Sequence, residues 1–299
     1  MLFPRSLRWF AALALACAAC AACDRAEPAR EAALYLDDFA DTIRFGRPAA
    51  RIVSLNPVTT EILFTLGVGA RVVGRTHWDL YPVAARAVAD LGPGMQPNVE
   101  AVLGVRPDLV VLYASNANRG AAEKLRRAGI ATLALRTDHV ADFRRTVRLL
   151  ARAVGDTVAG NGLADSVERS LSAIRARPRP TDPPTVFWHV WDTPLLTIGR
   201  GSYLTELVET AGAKNVFGDL SAPSPQVTLE EIVRRNPDYV LAGPDGATRL
   251  RASATWRAVP AVRAGRILVV DTTLVGRPGV RLGEAARHLR ALILRDTVR

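Results

Sequence analysis

The sequence predicts two Rossmann-like α/β lobes with mostly parallel sheets, joined by a single long helix. Three observations carry that expectation. Short apolar runs alternate with helical patterns along most of the 299 residues. The alternation is written twice, with matching blocks in each half. One amphipathic stretch between the halves belongs to neither. The composition, 49% hydrophobic and 23% charged, is that of a globular protein; it excludes wholesale disorder, a multi-span membrane protein and a collagen-like chain.

Residues 1–23 stand apart. Arg5 and Arg8 precede an apolar run opening at Trp9, followed by small residues. This is the layout of an export signal, and the run is short for a membrane span. Cys17, Cys20 and Cys23 are the only cysteines, and all lie here. A small residue before a cysteine resembles the lipobox of bacterial lipoproteins. Cys23 is the expected lipidation site, because the charged pair Asp24-Arg25 ends the apolar region behind it. Cys20 and Cys17 are the neighbouring alternatives, and an uncleaved anchor helix is the other reading of the segment. Cleavage before Cys23 leaves no disulfide, so the mature domains are expected to be stable by core burial alone.

Residues 24–50 read as an extension with a short hairpin and an acidic turn (34–45), punctuated by Gly46 and Pro48. The first lobe follows at 51–155. IVSL (52–55) is a buried strand ended by Asn56-Pro57, and Thr59–Leu66 a helix stopped by Gly67. Val72–Gly74 is a strand. Asn98–Val105 is helical before the strand Asp108–Leu112, and the helix Asn118–Ala128 precedes the strand Thr132–Leu135. The second lobe spans 185–299. VEAVLGVRPDLVVL (99–112) matches LEEIVRRNPDYVLA (229–242), and EILFTLGVGARVVG (61–74) matches ELVETAGAKNVFG (206–218). Between the lobes, 156–184 carries Leu163, Val167, Leu171 and Ile174 at helical steps and ends in prolines, which reads as the bridging helix and its stop. Such a bridge leaves a cleft between the lobes, where ligands bind at strand carboxyl ends.

Chemistry-bearing motifs are few. The chain has no phosphate-binding loop of the Walker type, no dinucleotide fingerprint and no zinc-protease or serine-hydrolase signature. GRGSYL (199–204) reads as a capped turn. The four histidines lack ligand spacing, so no dedicated metal site or cofactor is expected. Nothing marks a nucleophile or paired carboxylates, so an enzyme is not expected. The formal charge is +10, and all but two of the 39 basic residues are arginine. They are scattered, often beside acids, which argues against nucleic acid as a partner. What stands out is aromatic residues at strand ends: His77, Trp78 and Tyr81 in THWDLYP, Tyr113, and Trp191. Such faces suit a large planar ligand.

RIVSLNPVTTEILFTLG (51–67), VGRTHWDLYP (73–82), GMQPNVEAVLGVRPDLVV (94–111), SPQVTLEEIVRRNPDYVL (224–241) and RPGVRLGEAARHL (277–289) together resemble the helical-backbone substrate-binding proteins of ABC importers, above all the cobalamin-binding branch. The resemblance implies an exported, lipid-anchored, monomeric protein that captures cobalamin or a related corrinoid between its lobes, without chemistry, and delivers it to a two-fold symmetric membrane permease. It implies ligand contact at Trp78 and Tyr113, with Asn56, Pro57 and His77 beside them and Trp191 at the mouth of the second lobe. Arg277 and Arg281 match an arginine-bearing segment that meets anionic ligand groups. Glu100 and Glu230 match the glutamates that dock onto the permease. The chain departs from the branch at Gly92 and Ser224, where rings are expected. A ferric siderophore or haem is the alternative ligand of the same fold; an α/β enzyme or a sensory binding module is the more distant alternative.

Overall fold

The structure, a computed structural model, describes residues 34–295. The export segment and Cys23 lie outside the described residues. The chain opens with β1 (Leu34–Leu36) and β2 (Thr42–Arg44), an antiparallel hairpin. Its acidic turn is stapled to the first lobe. The fully buried Asp37 carboxylate takes Arg126 at 2.8 Å and the Ala134 N–H at 3.1 Å, and Asp38 takes both Nη atoms of Arg145 at 2.8 Å.

The first lobe runs β3 (Ile52–Leu55), α1 (Pro57–Thr65), β4 (Val72–Gly74), α2 (Val99–Gly104), β5 (Leu109–Tyr113), α3 (Asn116–Arg127), β6 (Ala131–Leu135) and α4 (Asp142–Val154). Its sheet has the order β4-β3-β5-β6, all parallel. Helix α1 starts two residues before the sequence expectation. The Asn56 side chain accepts from Val58 N at 2.9 Å, and Pro57 at the first helical position has its φ preset and no N–H to satisfy.

After α5 (Thr157–Arg175), the second lobe runs β7 (Thr185–His189), the small hairpin β8 (Trp191–Asp192) and β9 (Leu195–Leu196), α6 (Tyr203–Ala211), β10 (Lys214–Asn215), α7 (Leu229–Arg235), β11 (Tyr239–Ala242), α8 (Pro244–Ala252), α9 (Pro260–Arg263), β12 (Ile267–Val269), α10 (Thr272–Val275) and α11 (Leu282–Arg295). Its sheet order, β10-β7-β11-β12, again all parallel, repeats that of the first.

The repeat extends to single atoms. Asn98 caps α2 through Ala101 N, and Thr228 caps α7 through Glu231 N. Arg106 and Asn236, at the turn into each central strand, both adopt positive φ, 47° and 45°. Asp108 then accepts Ala50 N and Arg51 N, while Asp238 accepts Thr185 N and Thr185 Oγ1. Each aspartate ties the strand it precedes to the entry of the neighbouring strand.

Asp156 caps α5 through Ala159 N. The helix buries Gly160, Ala164, Val167, Leu171 and Ile174, and packs against α4, α6 and α11. At Gly160 a Cβ would stand 2.2 Å from that of Ala151, so only glycine permits this crossing with α4. One apolar core runs from the first sheet (Leu109, Val111) through α5 to the second sheet (Val186, Leu241) and α11 (Leu289, Ile293). The outer face of each lobe has a smaller core of its own. The lobes are thus fused at their base, and only the strand carboxyl ends face one another across a cleft.

The atomic repeat has a measurable consequence. Asp108→Ala and Asp238→Ala each remove hydrogen bonds at an exposed strand entry and are expected to cost about 0.5–1.5 kcal/mol in urea denaturation. Because the two sites are remote, the double variant should lose the sum to within about 0.5 kcal/mol.

Candidate ligand-binding site

The carboxyl ends of β3 to β6 surround a cavity of about 440 Å³. Asn56 and Pro57 follow β3, Thr76 and Trp78 follow β4, Tyr113 ends β5 and Thr137 follows β6. The opposite wall comes from the other half of the chain: Tyr203 at the start of α6, and Gly276, Arg277 and Pro278 after α10. A second cavity of about 380 Å³, lined by Trp191, His189 and Arg249 among others, shares Tyr203 and Gly276 with the first. The two form adjoining compartments of one cleft. The floor of the first depends on Gly94, where a Cβ would stand 2.3 Å from Leu55 O; glycine there lets the loop carrying Met95 lie against the end of β3.

The expected site residues divide between these surfaces. Asn56, Pro57, Trp78, Tyr113 and Arg277 line the first cavity. Trp78 is 59% exposed, an unusual position for a large ring unless something covers it. His77 packs against Trp78 with ring centroids 4.5 Å apart but lies off the cavity wall. Trp191 lines the second cavity, also 59% exposed, with Nε1 donating to Thr193 O at 3.1 Å. Arg281 lines neither. Its Nη2 donates to Thr273 O at 2.7 Å and meets Glu61 Oε1 at 3.3 Å, and its guanidinium sits 3.8 Å over the Tyr81 ring.

Glu100 and Glu230 are exposed in the first turns of α2 and α7, away from both cavities. Glu230 is held below the usual carboxylate range by its own backbone N–H and the Thr228 hydroxyl.

Three acids that sequence reasoning missed, Asp138, Glu61 and Asp79, shape the walls. Tyr113 donates its hydroxyl to Asp138 at 2.6 Å. Burial, then this hydrogen bond, push the phenol up to about 12. Glu61, only 1% exposed, receives Arg281 and also Arg277, the latter at 3.6 Å. Burial pushes its carboxyl up, and the two arginines only partly offset this. Asp79, fully buried, accepts Thr60 Oγ1 and Thr76 Oγ1, each at 2.5 Å; burial raises it too. Glu61 had a signal in the sequence: it is an acid in an apolar helix, and the matching block places Glu206 at the same point. Among the described residues, no group of three or more His, Cys, Asp or Glu side chains converges to hold a metal ion.

Two parallel-sheet lobes in the same strand order, a bridging helix and an aromatic cleft are now in place, and residues 52–274 match the periplasmic binding protein family. The chain belongs to that family. A vitamin B12-binding protein of Vibrio vulnificus is 26% identical over 78% of this chain and 86% of its own length. An uncharacterized ABC transporter substrate-binding lipoprotein of Bacillus subtilis is 32% identical, covering 83% of this chain and 81% of its own. Among solved structures, the periplasmic haem-binding protein RhuT of Roseiflexus superposes with a TM-score of 0.76 at 26% identity, covering 84% of this chain and all of its own. These relatives are binding proteins, and membership places this protein among the exported solute receptors of ABC importers. No helix among the described residues is long and apolar enough to cross a membrane.

The Tyr113–Asp138 bond predicts a titration. Absorbance at 295 nm should show Tyr113 ionising near pH 12, and Asp138→Asn should lower that midpoint only in part, because burial, the larger cause, remains. Because burial and this bond together raise the folded-state value, the stability linked to the protonated phenol is fully present below pH 10 and is lost as the pH climbs through about 12.

Proposed function

We propose that this protein captures cobalamin or a related corrinoid in the inter-lobe cleft and delivers it, chemically unchanged, to an ABC permease. The observation that carries the reading is the wall of the first cavity. It is aromatic and apolar, with Trp78, Tyr113 and Tyr203 around it, and its arginine, Arg277, is already engaged by Glu61 and by the carbonyl of Trp78. Large uncharged ring systems gain most from such a surface. The kinship with vitamin B12-binding proteins supports the same ligand. Tyr113 bears on the alternative. Its phenol donates to Asp138, so ligation of a ferric haem by Tyr113 would have to displace that hydrogen bond. Haem remains the second reading on the likeness to RhuT.

In this account Glu100 and Glu230 dock the two lobes onto the permease. Their equivalent, exposed positions in the repeat suit a two-fold symmetric partner. Cys23 tethers the mature protein to the membrane through lipid.

Calorimetric titration with cyanocobalamin should give a saturable heat. Trp78→Ala and Tyr113→Ala should each weaken binding by roughly tenfold or more, the loss of a ring at a binding hot spot. No heat, with haem binding in its place, contradicts the corrinoid reading. Charge reversal at both Glu100 and Glu230 should abolish permease-dependent uptake while calorimetry shows the ligand still bound; unchanged uptake contradicts the docking role.

A further inference from the structure

The segment that follows α10 crosses from the second half of the chain onto α1 of the first. It brings two arginines to one buried carboxylate. Glu61 Oε1 lies 3.6 Å from Arg277 Nη1 and 3.3 Å from Arg281 Nη2. The approach is close: at Gly279, between the arginines, a Cβ would stand 2.5 Å from Glu61 Oε2, so a larger residue there would displace the carboxylate from its place against the segment. Arg277 has a second bond, from Nη2 to the carbonyl oxygen of Trp78. Its side chain is 18% exposed, and it lines the first cavity. Arg281 is turned away onto Tyr81 and Thr273, with its buried Nε lacking a partner. Asp79, buried nearby, adds a second acid in the field of Arg277.

The consequence lies in what the cavity offers a ligand. A free guanidinium on its wall would select carboxylates or phosphates. This one is occupied on the side that faces Glu61 and on the side that faces Trp78. We propose that Glu61 is a specificity-determining, positioning residue: by holding Arg277 against the Trp78 carbonyl, it withholds the cavity's cation from the ligand and makes the site indifferent to anionic groups on a macrocycle. This rests on the binding-protein reading above but not on the identity of its ligand. With Glu61 neutralised, Arg277 loses its counter-charge and becomes available to an incoming carboxylate.

The test compares ferric protoporphyrin IX, a dicarboxylate, with its dimethyl ester, which keeps the same ferric centre but has both carboxylates capped, titrated into the full-length protein by absorbance and tryptophan quenching. In the native protein the two affinities should agree within about threefold. Glu61→Gln should raise the preference for the dicarboxylate by about tenfold, the scale of one hydrogen bond to a charged group. That gain should shrink as salt is raised and vanish in the double variant Glu61→Gln/Arg277→Gln. A merely loosened structure would change both ligands together and would not respond to salt. Glu61→Asp keeps a charge but withdraws it by one methylene; it carries the same test, with about threefold expected, where the glutamine variant does not fold. A native protein that already prefers the dicarboxylate tenfold overturns the proposal. So does an unchanged ratio, or no binding of the dicarboxylate, in the Glu61 variants. A missing cyanocobalamin signal bears only on the corrinoid reading, because the dicarboxylate-to-ester ratio is measured independently of it.

Discussion

A carboxylate almost out of contact with water sits where the two halves of this chain meet, and the cleft is arranged around it. Taking Glu61 out of solvent is costly, and a buried acid without a partner would cost several kcal/mol. The two arginines that compensate it come from residues more than 200 positions away in the chain. The pair therefore works across the lobes: it positions Arg277 and Pro278 on the cavity wall and fixes the Trp78 loop through its carbonyl. Glu206, the counterpart of Glu61 in the repeat, makes the mirrored crossing. It receives His139 Nδ1 at 3.0 Å and Val140 N at 3.4 Å from the first lobe. That contact is half exposed, an ion pair of the kind worth about 0–1 kcal/mol. Tyr203 adds a backbone bond to Asp138 O at 3.1 Å, whose side chain in turn holds Tyr113. Arg277 and Tyr203 belong to the lobe contact and to the cavity wall at once.

The arginine-rich composition has an account in the same terms. Arg126 takes Asp37 and Asp41, Arg145 takes Asp38, Arg235 takes Asp219 and Glu231, and Arg249 takes Asp192. These cations staple turns and loops within the molecule, which suits a planar fork better than an ammonium.

Much of this architecture was legible in the sequence because it depends on local rules. Asn98 opened a helical stretch, the matching Pro-Asp pairs at 107–108 and 237–238 preceded the central strands, and the apolar run of 109–112 marked a strand buried on both faces. The aromatic residues at strand ends were legible for the same reason, since a parallel sheet delivers its carboxyl ends to one side. Roles that depend on long-range partners were not. Arg277 and Arg281 match a ligand-contacting segment, yet their guanidinium groups meet Glu61, and no local pattern joins positions 61 and 281. Tyr203 stood inside a segment read as a capped turn; Ser202 does cap α6, but the ring beside it closes both cavities. His77 and Trp78 are adjacent in sequence, and the loop's turn leaves only Trp78 on the wall.

The shared core along α5 and the two acid crossings imply a cleft formed before the ligand arrives. The most direct test is the distance across it. Spin labels at Gly104→Cys and Arg234→Cys, equivalent exposed positions near the lobe tips, can be placed after the three native cysteines are changed to alanine. Pulsed electron resonance should then give a single narrow distance distribution that shifts by less than about 2 Å when cyanocobalamin is added. A broad or two-peaked distribution in the free protein, or a larger shift on binding, would contradict the account of lobes held in place by their shared core and acid crossings.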